Sequence, residues 1–426
     1  MVLEKVFFKT IYKKHIQIIC FLFWICLVVV MFFNRDIYNN FTYGAFGISE
    51  WLINYQGGFV RRGICGELIY QLYHIHPFDV ISFIKGVDAA SSILLLILLL
   101  DIFKREGWSL AILPLPCCLY YNFQMVWARK DCILLLLAFF VFYTFRRGAL
   151  SKSIRWFLLS SVLASFAILI HEAFFFYSIP ILFVWYFHKL YSKDRSNLLC
   201  DVLYSLLPFV PSIIALFLVT INKGDYTTSQ NIWLSWKDTI ASYPYGSQDI
   251  VTYLGHYGVS AQTGIDALTW QLLNTIKFHL GVNFHGYSFA LIIWMLLVSF
   301  ILTNNLNTVH ISLWTIKGTG GGMSGVLFLQ FLFLLPMFCI LSCDWGRTIP
   351  YWILSSMMFY HVFGEMRILP IPKILFQSGK KINHIFANPL IYIAIVLLVP
   401  YKDYYAPSYH DLPIVRIGSF FYHFFI

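Results

Sequence analysis

Runs of about 20 apolar residues, each long enough to carry an α-helix across the roughly 30 Å hydrocarbon core of a bilayer, recur along this whole chain. They fall near residues 16–33, 81–103, 109–126, 131–145, 154–170, 174–188, 199–221, 286–303, 326–342, 348–363 and 387–400. The runs are continuous rather than alternating. That excludes a strand barrel and predicts an all-α polytopic membrane protein with about eleven transmembrane helices. Composition agrees, since 59% of residues are apolar and only 12% are charged, a balance that a water-exposed surface does not tolerate. Prolines within the runs (Pro114, Pro116, Pro180, Pro208, Pro211) predict kinked or re-entrant segments. No repeat or low-complexity linker divides the chain, so residues 1–426 read as one integral membrane domain.

Orientation follows from the Lys/Arg bias of the short loops. Lys5, Lys9, Lys13 and Lys14 place the N-terminus in the cytoplasm. Counting spans from there, the same side receives Lys104 and Arg105, then Arg146, Arg147, Lys152 and Arg155, then Lys189, Lys193 and Arg195, and later Arg367, Lys373, Lys380 and Lys381. The net charge of +10 is therefore a topology signal that also suits anionic lipid head groups, and no nucleic-acid partner is expected. The first run follows basic residues as a signal peptide would. The FFNRDIYNN after it lacks small cleavage-site residues, so it is expected to remain as an uncleaved span.

Seven of the nine cysteines (Cys20, Cys26, Cys117, Cys118, Cys132, Cys200, Cys339) fall within spans as small apolar residues. Cys65 and Cys343 fall on the outer side, where a disulfide between them is one option. No CxxC or His-Cys metal spacing occurs, HExxH fails because position 175 is Phe, and KGTGGGMSG around Gly318–Gly322 lacks the ending of a phosphate loop. No metal or other cofactor is expected.

Two outer segments are long, residues 34–80 and 222–285. The second carries turn signals and a moderately amphipathic stretch, IDALTWQLLNTIKFHL, and is expected to cap a cavity. The first contains ISEWLINYQGGFVRRGICGELIYQL, in which Arg61 and Arg62 lie near Glu50, Trp51, Tyr55 and Glu67 and between Gly57, Gly58, Gly63 and Gly66, glycines expected to allow close backbone approach to a ligand. The expected topology brings three further clusters to the same surface: Ala128-Arg129-Lys130-Asp131, His171-Glu172 and Asp344-Trp345-Gly346-Arg347. Each has a bland alternative. Arg129 and Lys130 can snorkel to lipid phosphates, Asp344 and Arg347 can form a local ion pair, and Glu172 can sit in a structural salt bridge. Cationic pairs in tight outer loops nevertheless run against the charge bias and call for a partner.

A surface ringed by Arg61, Arg62, Arg129, Lys130 and Arg347 suits an anionic, lipid-linked saccharide. Guanidinium groups grip phosphate oxygens in pairs, and aromatic residues such as Trp51 and Tyr55 stack on sugar faces. Sugar transfer then needs a base for the acceptor hydroxyl, for which Glu172, His171 and Asp344 are candidates. Cations must also stabilise charge on the leaving group. Burial would raise the pKa of Glu172 and a neighbouring arginine would lower it.

In these features the chain resembles the Wzy-type O-antigen (oligosaccharide repeat-unit) polymerases: about eleven spans, abundant Phe and Tyr, outer arginines, a large outer loop in the second half, and the strings GGFVRRGICGEL, LIHEAFFF and CDWGR. The resemblance implies a bacterial inner-membrane glycosyltransferase that needs no metal and works at the periplasmic face. It would polymerise undecaprenyl-pyrophosphate-linked repeat units, beside a flippase and a chain-length regulator. It assigns Arg61, Arg62 and Arg347 to pyrophosphate or glycan. Such polymerases often carry an arginine followed sixteen residues later by glycine, whereas residues 222–285 hold no arginine, only Lys223, Lys237 and Lys277. That departure brings in a relative, the glycosyltransferases that use lipid-phosphate-linked sugars and carry an acidic base in the first outer loop, a place that Asp36 or Glu50 would fill. Either resemblance implies a GT-C-like helical architecture. A transporter or an acyltransferase stands further off, because charge gathers at one face and no pseudo-symmetric halves are visible.

Overall fold

The computed structural model describes residues 50–106, 108, 129–191, 198–236, 239, 272–278, 280–281, 322–341 and 345–364, with a few single positions beyond 390. The described residues are helical, with no strand among them. In chain order the helices are α1 (Ile64–Ile75), α2 (Val80–Glu106), α3 (Asp131–Ser151), α4 (Ile154–Ile170), α5 (Ala173–Tyr191), α6 (Leu198–Leu206), α7 (Val210–Ile221), α8 (Tyr226–Ser235), α9 (Leu272–Phe278), α10 (Gly322–Pro336) and α11 (Trp345–Phe363). A 3-10 turn, Leu207–Phe209, joins α6 to α7 at the predicted proline break, and a π-helical turn, Met337–Leu341, extends α10.

The apolar runs between 81 and 221, apart from 109–126, and those at 326–342 and 348–363 all have helices in the structure. Among the described residues four segments are long and apolar enough to cross a membrane: α2, α3, α5, and α6 with α7 taken together. The expected spans 16–33, 109–126 and 286–303 lie outside the described residues, as does 387–400 apart from three positions. So do Asp36, Cys343, Asp344, the basic residues from Arg367 to Lys381, and most of 34–49 and 240–271.

Termination of the helices sets up the bundle. α3 ends on Lys152 in the left-handed region (φ 52°), its N–H returning to Gly148 O. A Cβ on Gly148 would lie 3.1 Å from Phe157, so the small residue lets α4 turn back tightly. α4 ends where His171 becomes extended, and α5 restarts two residues later. The core between α3, α5 and α11 is filled by Phe142, Phe145, Phe174, Tyr177 and Phe359, all essentially inaccessible.

This threading gives the bundle two chemically different ends. The far ends of α2, α3 and α5 carry Lys104, Arg105, Arg147 and Lys189, with Arg105 bonded to Asp101 at 2.7 Å and Lys189 to Ala149 O at 3.0 Å. At that end the His361 ring meets Glu106 at 2.6 Å and joins α11 to α2. The opposite end collects the start of α3, the α4–α5 turn, the end of α7, the start of α11 and the segment 50–63.

Candidate functional site

Segment 50–63 is held in place mostly by its own backbone and by α8. Glu67, one turn into α1, accepts the Tyr55 N–H at 2.9 Å and the Gln56 amide at 3.2 Å. Trp236 donates its indole N–H to Leu52 O at 2.7 Å, and Asn54 donates to Ser235 Oγ at 2.8 Å. α8 is capped by Asp225, whose carboxylate accepts the Thr228 N–H at 2.7 Å. The glycines serve this packing. A Cβ on Gly66 would stand 2.1 Å from Ile53 O, and one on Gly63 would enter the Tyr55 ring. Gly57 likewise backs onto Thr228 O. Close approach at these three positions is therefore protein to protein, not the approach of a ligand that the sequence suggests. Cys65 is a buried free thiol and makes no disulfide.

At the tip of the segment Arg62 has φ 63°, a left-handed conformation that costs a non-glycine residue about 1 kcal/mol or more. Two bonds hold the backbone there: Arg61 N–H donates to Asn222 O at 2.9 Å and Lys130 Nζ donates to Arg62 O at 3.2 Å. The Lys130 ammonium also lies 5.9 Å above the Trp51 ring.

The Arg62 guanidinium then spans two carboxylates. Its Nε and Nη2 meet Glu172 at 3.0 and 2.6 Å, and its Nη1 meets Glu50 at 2.9 Å. Arg129 closes on the other Glu50 oxygen at 3.4 Å, and Arg61 Nη1 stands 3.6 Å from Glu172. Beside this group Arg347 makes a forked pair with Asp131, at 2.7 and 3.2 Å, and the Tyr351 hydroxyl donates to the same carboxylate. Tyr351 is stacked on Tyr177 at 4.7 Å. Arg347 acts electrostatically on Glu50, and Arg129 on Asp131, so the two halves form one network. Among the described residues it joins five cations to three carboxylates, a surplus of two positive charges. The N-termini of α3, α5 and α11 add their partial positive charge.

Burial pushes the Glu172 carboxyl up, but Arg62, His171 and Arg61 together overcome it and hold the acid well below the usual carboxylate range. Of the two effects weighed from sequence, the arginines win. Glu50 behaves alike: burial raises it, and Arg129 and Arg62 bring it below the ordinary range. For His171 burial and the Arg62 charge act in the same direction and push the ring from 6.5 down to about 3. His171 Nδ1 accepts the Ala173 N–H at 3.1 Å, so in the neutral ring the proton sits on Nε2. That Nε2 is buried and has no hydrogen-bond partner among the described residues. His171 in this structure offers a donor rather than a base.

A pH dependence follows. Below pH 6.5 the unfolded chain takes up a proton that the folded His171 site refuses until about pH 3, so stability falls with pH by at most about 1.4 kcal/mol per unit. The lowered carboxylates Glu50 and Glu172 add their loss as pH falls below about 4.5. Thermal melting of the detergent-solubilised protein should drop from pH 7 to 5, and His171→Gln should flatten that part of the curve. An equal slope in the variant would assign the drop elsewhere.

Of the residues singled out from sequence, Arg61, Arg62, Arg129, Lys130, His171, Glu172 and Arg347 converge at one end of the bundle. Trp51 is buried, and Tyr55 is half-buried against Phe59 at 5.2 Å. Arg347 pairs with Asp131, and Asp344 lies outside the described residues. The pairing of Asp131 with Arg347, the part of Tyr351 and the bridging role of Glu50 were not evident from sequence. An acid opening an apolar run was the signal for Asp131, because it requires a cation from another element. No group of three His, Cys, Asp or Glu side chains able to hold a metal occurs among the described residues.

Comparison with protein-family models, with curated proteins and with solved structures finds no match to this chain.

Proposed function

We propose that the chain is a membrane glycosyltransferase that takes a polyprenyl-pyrophosphate-linked saccharide as donor. In its specific form it polymerises undecaprenyl-pyrophosphate-linked repeat units into O-antigen or capsule at the periplasmic face of the bacterial inner membrane. The observation that carries the reading is the buried network in which, among the described residues, five cations gather around three carboxylates at the joint N-terminal ends of three apolar helices. A sugar diphosphate diester carries two negative charges, and forked guanidinium groups match its oxygens. The Lys/Arg-rich ends of α2, α3 and α5 lie opposite, as they do when the site faces away from the cytoplasm.

In this scheme the arginines hold the diphosphate and the charge that grows on it as the anomeric bond breaks. Glu172 is the group placed to take the acceptor proton, since His171 Nδ1 is already engaged. Glu50 answers less well to the acidic base of the lipid-phosphate-sugar transferases, because Arg62 and Arg129 both hold it and its side chain is 4% exposed.

The test is the surface-polysaccharide ladder of a deletion strain complemented with wild type, Arg61→Ala or Glu172→Ala at matched membrane level. The deletion should leave a single repeat unit on the lipid core. Wild type should restore the ladder, and the variants should lose at least nine-tenths of it. A full-length ladder with altered sugars would favour a side-branch glycosyltransferase, and an unchanged surface glycan would point to transport.

A further inference from the structure

The carboxylates of the network differ in how they meet the outside. Glu50 and Asp131 side chains keep 4% and 3% of their surface exposed, whereas Glu172 keeps 22%. The guanidinium groups that hold Glu172 are the more open ones as well, Arg61 at 13% and Arg62 at 14%, against 4% for Arg129. Anything arriving from solvent or from the lipid boundary therefore meets the Arg61–Arg62–Glu172 corner first.

The geometry at that corner is the geometry of anion recognition. Two Glu172 oxygens take the Nε and Nη2 edge of Arg62, the forked approach that phosphate oxygens also adopt. Arg61 Nη1 reaches one of the same oxygens. Glu50, on the remaining Nη1, and Lys130, on the Arg62 carbonyl, would keep the guanidinium in position after Glu172 had left. The Nε2–H of the adjacent His171 has no acceptor among the described residues, so the corner is one acceptor short.

We propose that Glu172 is a resident occupant of the diphosphate subsite: an incoming diphosphate displaces its carboxylate from Arg61 and Arg62, and the released carboxylate becomes the base of the reaction. The inference rests on the anion-binding reading above. Displacement exchanges one forked partner of Arg62 for another, so neither guanidinium is left bare. Freed Glu172 takes the proton of the acceptor hydroxyl while that oxygen bonds to the anomeric carbon. The anomeric C–O bond to the diphosphate breaks, its electron pair goes to the diphosphate oxygen, and the arginines hold the resulting charge. When the diphosphate leaves, Glu172 returns its proton to water and pairs with Arg62 again. The base is thus withheld until a donor is seated.

The exchange makes an inverted prediction for a substitution in a binding site. With the full-length protein in nanodiscs of phosphatidylethanolamine and phosphatidylglycerol, and inorganic pyrophosphate as the titrated probe, Glu172→Gln should bind at least tenfold more tightly than wild type while losing sugar transfer. Gln keeps the shape and removes the competing charge. Glu172→Asp, which pulls the carboxylate back from Arg62, should bind with intermediate strength and carries the test if the Gln variant does not fold. Pyrophosphate binding by wild type that is equal or weaker in the folded variants overturns the exchange alone. Binding by none of the proteins overturns the anion-binding reading with it.

Discussion

Arg62→Ala should be the most damaging single substitution in this chain, costing about 3 to 5 kcal/mol and most of the recoverable folded protein. The side chain is the shared partner of Glu50 and Glu172, and its removal leaves a fully buried carboxylate on one side and a largely buried one on the other. Alanine is also poorly suited to the left-handed backbone at this position. The midpoint of thermal aggregation in detergent, read by size-exclusion chromatography, measures the loss. Adding Glu50→Gln should restore neither stability nor activity, because Arg129 still holds Glu50 and would lose that carboxylate. A single variant with unchanged melting would show that water reaches the corner freely and that the network is not a buried one.

The second large effect concerns the pair at the starts of α3 and α11. Asp131→Ala removes the forked carboxylate of the Arg347 guanidinium and the acceptor of the Tyr351 hydroxyl, a further loss of about 3 to 5 kcal/mol. Replacing both members with apolar residues, Asp131→Leu with Arg347→Met, should recover most of that stability, since a buried pair is seldom better than well-packed hydrocarbon. If the double variant is stable and inactive, the pair is retained for function. Stability and activity returning together would make it a structural tie.

These effects show which parts of the molecule the linear chain makes legible and which it does not. Spans such as 131–145 and 174–188 can be read directly, because a continuous apolar run in a membrane has only the helix available to satisfy its backbone. The break at Pro208 and Pro211 was legible for the same local reason, and the convergence of Arg62, His171 and Arg347 at one end followed from span parity alone. Pairing was not legible. That Arg347 meets Asp131 depends on the rotation of α11 against α3, which no local pattern encodes. The flanking glycines misled in a similar way: a small residue signals close approach, but only the packing of Ile53 against Gly66 reveals what approaches. The aromatic residues read from sequence as sugar platforms include Trp51, whose ring lies beneath Lys130 inside the fold.

The long reach of the Asp131–Arg347 bond bears on how the protein is made. Its two members are 216 residues apart, and at ordinary translation rates of about 5 to 20 residues per second the second follows the first out of the ribosome by roughly 10 to 40 s. For that interval the ribosome-bound chain holds an acid at the head of an inserted helix without the cation that later neutralises it. The docking of α11 then brings Arg347 to Asp131. A truncated chain ending before residue 345 should be a target for membrane quality control, because its missing helix leaves Asp131 without its forked partner.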